Sequence, residues 1–106
     1  MVTRVTGGGW PRQGRLLPWE ETEGKPAYLA PGSEDSRLGR LADAVERAQL
    51  HDAAVVLTHA SAVLADRDAA ARELRFTAER LRECLVATTR VARSRGARLG
   101  MPPEGP

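Results

Sequence analysis

The sequence predicts an all-α fold, an antiparallel helical hairpin preceded by an irregular N-terminal arm. Three observations carry that expectation. Residues 33–98 contain no proline and only Gly39 and Gly96 as glycines, so nothing there breaks a helix outright. Apolar side chains recur in that stretch at three- and four-residue steps, the spacing of one helix face. The Asp66-Arg67-Asp68 link is too short for a second helix to do anything but turn back. The expected organisation is an arm over residues 1–32, a hairpin domain over 33–98 and a flexible tail over 99–106.

The arm comes first. Gly7, Gly8, Gly9, Pro11, Gly14, Pro18, Gly24, Pro26, Pro31 and Gly32 crowd it with helix breakers. It nevertheless carries Trp10, Trp19 and Tyr28, three of the chain's four aromatics, in a segment whose polar surroundings would otherwise suit disorder. Two uses follow. The arm folds back to cap the hairpin, whose one aromatic is Phe76, or it docks to a partner through Trp10, Trp19 and Tyr28, residue types favoured as binding anchors. The first is the better reading.

The first helix is expected over Ser33–Ala65. Ser33 or Ser36 can cap it, and Glu34 and Asp35 suit the positive end of its dipole. Leu38, Leu41, Ala42, Val45, Gln49, Ala53, Val56, Ala60 and Val63 fall on one stripe. Leu50, Leu57 and Leu64, spaced by sevens, widen the apolar face. The second helix is expected over Asp68–Arg95, with Asp68 or Asp66 as cap and Gly96 as the left-handed residue beyond its end. Three rows give it a broad contact face: Leu74, Leu81 and Thr88; Ala78, Leu85 and Ala92; Thr77, Cys84 and Val91. At about 1.5 Å per residue the arms are roughly 40 Å long.

A lone pair of helices is thin for independent stability. The row Leu50, Leu57 and Leu64 needs a cover: the arm, another protein, or a second copy completing a four-helix bundle. The heptad-like rows on both helices favour the second copy. Replacing Leu57 with Asp then tests that seam through mass and helicity.

The succession Arg15-Leu16-Leu17-Pro18-Trp19, Gly24-Lys25-Pro26-Ala27-Tyr28-Leu29, Ser36-Arg37-Leu38 leading into Leu41-Ala42-Asp43 and Glu46, Leu74-Arg75-Phe76, and Ser94-Arg95-Gly96-Ala97-Arg98-Leu99 resembles a group of small proteins of Streptomyces and related actinomycetes. The likeness runs over about residues 15–99. It implies a GC-rich actinomycete source and an accessory role. None of its motifs is a catalytic signature, and it transfers no site residues.

Composition narrows the function classes. The chain has 106 residues, 42% hydrophobic, 28% charged and 4% aromatic, with a net charge of +2. That is one small domain with a core of Leu, Val and Ala, without room for a Rossmann fold or a barrel. All basic residues but Lys25 are arginine. With abundant Ala, that reflects a GC-rich genome before it reflects binding. Cys84 is the one cysteine, which excludes an internal disulfide and a cysteine zinc site, and suits a reducing cytoplasm. The start of the chain is too polar for a signal peptide. The longest apolar run, Ala53 to Leu57, is far short of the ~20 residues of a membrane span.

No constellation for catalysis, a metal or a cofactor emerges. His51 and His59 lie about 80° apart on a helix, and Asp52, His59 and Asp66 are spaced about 10 Å apart, too far to share an ion. They read as a solvated polar edge. Cys84 falls near the level of His51 in an antiparallel hairpin, but a cysteine in an apolar row serves as core before it serves as a nucleophile. Thr58, Ser61 and Thr88 lack an elbow motif, and Gly7-Gly8-Gly9 lacks the Lys and helix start of a phosphate loop.

Charge is unevenly placed. Residues 33–68 carry seven acids and four arginines; residues 69–106 carry eight arginines and four glutamates. Arg72, Arg75, Arg82, Arg90 and Arg93 share a flank of the second helix, where Glu79 can pair with Arg75 and Arg82. Arg90, Arg93, Arg95 and Arg98 have no acid near them in sequence. They complement the acidic first helix or, less favoured, contact phosphates. The expected function is therefore a non-catalytic protein-interaction or regulatory accessory module, with Trp10, Trp19, Tyr28, Leu50, Leu57 and Leu64 as contact residues. The alternative is a small nucleic-acid-binding accessory factor using Arg90, Arg93, Arg95 and Arg98.

Overall fold

The structure is a computed structural model, and it describes residues 2–3 and 14–100. Two helices, α1 (Arg37–Ala65) and α2 (Ala71–Arg98), pack against each other. A small antiparallel sheet precedes them, built from β1 (Val2–Thr3), β2 (Arg15–Glu20) and β3 (Pro26–Leu29) in the order β1-β3-β2. The all-α expectation thus holds for the hairpin and fails for the arm. Where it is described, the arm is mostly strand, not irregular coil. Trp10 and the tail residues 101–106 lie outside the described residues.

The strands form because the breakers sit where a sheet tolerates them. Leu16 pairs with Tyr28 and Arg15 with Leu29, while Glu20 meets Pro26 across an irregularity that includes Pro18. Pro18 lies on an edge strand, where a missing N–H is least costly. Between the strands, Glu23 (φ 50°) and Gly24 (φ 80°) are both left-handed. With the Lys25 N–H donating to the Thr22 carbonyl at 2.9 Å, they close the primed turn that suits a twisted hairpin. Alternation then buries Leu17, Ala27 and Leu29, which pack with Ala42 of α1, flanked by Trp19 and Leu38.

The helix limits shift from those expected. Ser36 caps α1: its Oγ accepts from the Gly39 N–H at 3.1 Å. Asp68 does not cap α2. Asp66 Oδ1 instead accepts from the Asp68 N–H at 2.9 Å in a local turn, and Ala70 supplies the first helical carbonyl, accepting from the Leu74 N–H at 3.0 Å. Asp and its near neighbours compete well for such turns, which delays the helix. At the far end, α2 runs through Gly96 to Arg98, and Gly100 (φ 82°) takes the left-handed position expected of Gly96.

The chain divides into two compact units. One holds the residues up to Glu46 together with those from Arg90 onward; the other is Arg47–Thr89. In the first, Gly39 marks a close approach. A Cβ there would stand 2.9 Å from the Glu34 carbonyl carbon and 3.1 Å from the Ser33 oxygen. In an open helix, Gly→Ala gains about 1 kcal/mol. Here Gly39→Ala is expected to lose about 1–2 kcal/mol, because backbone atoms must move to admit one methyl group. A urea titration that finds the variant more stable would show the turn before α1 to be pliable.

Candidate functional site

The sequence nominated residues in both units, and the structure treats them differently. In the Arg47–Thr89 unit, α1 buries Val56, Ala60 and Val63, and α2 buries Thr77, with Cys84 half-buried. Leu57 and Leu64 are left 62% and 70% exposed, and Leu50 is half-buried. On α2, Leu74, Leu81 and Leu85 are 40%, 36% and 67% exposed. The rows of Leu74 and Leu85 therefore do not belong to the broad intramolecular contact face expected of them. The α1–α2 seam is narrower, because Ala60, Thr77 and Cys84 fill it without needing the flanking leucines.

Those leucines share one side of the hairpin. Leu57 and Leu64 each follow a buried residue, Val56 and Val63, by one position, a turn of about 100°. Leu85 follows Cys84 by one position in the same way, and Leu81 follows Thr77 by four, about 40° in the same sense. The chain reverses direction at the link. Equal senses of rotation on two antiparallel helices therefore bring both flanks to the same side of the pair. Leu57 and Leu64 from α1 face outward beside Leu74, Leu81 and Leu85 from α2. Together the five expose nearly the surface of three whole leucines. That is on the order of 400 Å², within the range of the largest apolar patch on a typical monomer, a patch that is often functional. Sequence periodicity found the α1 half. It assigned the α2 half to internal packing, because an apolar row looks the same whether a partner is within the chain or outside it.

In the other unit the nominated arginines are used internally. Glu46 is 1% exposed yet carries a carboxylate. Its Oε1 lies 3.1 Å from Arg98 Nη2 and 3.4 Å from Arg95 Nε, and its Oε2 lies 3.2 Å from Arg15 Nη2. Arg98 also donates through Nη1 to Oε2 at 3.3 Å, a two-pronged grip, and to the hydroxyl of Ser94. Arg15 is itself buried. It bridges to Asp43 at 2.8 Å and donates to the Gly39 carbonyl at 3.2 Å. Ser94 Oγ donates to the Leu16 carbonyl at 2.7 Å, and Arg90 pairs with Glu20 at 3.2 Å and reaches the Pro18 carbonyl at 3.4 Å. Thus β2 is tied to α2 by polar contacts, and three of the four arginines nominated for phosphate contact already hold carboxylates. Arg93 is exposed. Trp19 and Tyr28 are half-buried at the sheet, Trp19 against the Leu17 cluster. Sequence reasoning missed Arg15 and Glu46. A lone Glu within an apolar stripe, Ala42-Val45-Glu46-Gln49, was the signal available.

Burial by itself raises the Glu46 pKa. The hydrogen bonds and charges of Arg98 and Arg15 outweigh it, so the carboxyl titrates below its ordinary value of 4.5. The sign of the effect on stability follows. The unfolded chain binds this proton at a higher pH than the folded chain does. Glu46 therefore contributes its full share of stability above the ordinary carboxylate range and loses it as pH falls through the lowered folded value. Acid unfolding is expected to begin below about pH 4.5, and Glu46→Gln should flatten that limb of the curve. A variant with an unchanged acid limb would show Glu46 to be uncoupled from folding.

The remaining nominated chemistry stays dispersed. His51 and His59 are exposed, as are Asp52 and Asp66, and Cys84 is half-buried in the seam. Among the described residues, no three His, Cys, Asp or Glu side chains are grouped to hold a metal ion. No described helix is long and apolar enough to cross a membrane. Glu79 pairs with neither Arg75 nor Arg82; the ion pair of this unit joins Arg80 to Glu83 at 2.5 Å. Exposed i,i+4 pairs gain too little to fix their side chains. No protein-family model, no curated protein and no solved structure matches the chain.

Proposed function

We propose that the protein is a non-catalytic interaction module, an accessory factor that engages another protein through the leucine face of Arg47–Thr89. The observation that carries the reading is the placement of Leu57, Leu64, Leu74, Leu81 and Leu85 on one uncovered side of two helices. A soluble chain gains nothing internally from such a face, and it raises the risk of aggregation.

The test separates binding from folding. Leu57→Asp with Leu85→Asp places carboxylates on side chains that are already exposed, so helicity and stability should change by less than about 1 kcal/mol. Any protein captured by the native chain from its host should be lost by the double variant. If capture is undiminished, the face is not the contact surface. The phosphate-binding alternative has less support, because Arg90, Arg95 and Arg98 are committed to Glu20 and Glu46. It would require nucleic-acid binding that falls steeply between about 50 and 200 mM salt and depends on Arg93 and its neighbours.

A further inference from the structure

We draw no further inference here: the strongest candidate, the uncovered surface patch of Leu57, Leu64, Leu74, Leu81 and Leu85 on one side of α1 and α2, belongs to the site already described, and nothing in the structure shows what covers it.

Discussion

Replacing Glu46 with Ala is expected to destabilise the chain by about 3–5 kcal/mol, the cost of breaking a buried ion cluster from one side. Marginal stabilities of about 5–15 kcal/mol make that a large share of the whole. The loss would not come chiefly from attraction forgone. It comes from Arg15, whose side chain is 4% exposed and whose remaining carboxylate, Asp43, is half in solvent. Without Glu46, Arg15 keeps its charge, since a guanidinium does not deprotonate, and it has no buried counter-ion. Arg15 Nε already lacks an acceptor, so the group has little reserve. Arg95, 48% exposed, provides the control. Its pair with the same carboxylate is the longest at 3.4 Å, and Arg95→Ala should cost less than about 1 kcal/mol. Denaturant midpoints followed by circular dichroism distinguish the two. Similar losses for both variants would show the burial of Glu46 to be energetically unimportant.

The helices were legible because their physics is local. Three- and four-residue periodicity and the absence of proline locate α1 and α2, and the Ser36 hydroxyl acts as one of the two caps the sequence offered. The sheet was not legible because its signals conflict. Leu-Leu-Pro-Trp combines the continuous apolar run of a buried segment, which does not distinguish strand from helix, with a residue that strands ordinarily exclude. Only the edge position of β2 and the irregularity between Leu16 and Glu20 resolve the conflict, and both depend on β3. A turn signal was present in Gly24, but the acidic residues before it, Glu20, Glu21 and Glu23, suit a linker equally well.

The site divides along the same line. The exposure of Leu57 and Leu64 was legible because a row spaced by sevens exceeds what one partner helix covers. Leu74, Leu81 and Leu85 were misassigned because periodicity gives the direction of a side chain and not what lies opposite. Glu46 was missed for a further reason. Its three guanidinium partners stand 31, 49 and 52 residues away, and only the packing of β2 and α2 beside α1 brings them to one carboxylate. The same contacts account for arginines that look unattached in the linear sequence.

Leu17→Ala is expected to cost about 2–5 kcal/mol, the range for truncating a buried leucine. Leu17 has no exposed surface, and its companions in the cluster are Ala27, Leu29 and Ala42. Two of those three are alanines, which have no longer rotamer with which to fill the space left behind. The cavity would therefore persist, and the loss should lie in the upper half of that range. Its position adds a consequence beyond volume. Leu17 stands between the Leu16 carbonyl, which accepts from Ser94, and the Pro18 carbonyl, which accepts from Arg90. Loosening the side chain that fixes this stretch of β2 also frees two of the acceptors that hold α2. Amide exchange should then quicken in β2, in β3 and in α2 from Arg90 onward, while residues 47–89 stay protected. Leu57→Ala, at an exposed position, should leave both stability and exchange within about 0.5 kcal/mol of the native chain. Uniform acceleration along both helices in Leu17→Ala would instead mean that the two units open together, and that the sheet cluster is not a separate seat of stability.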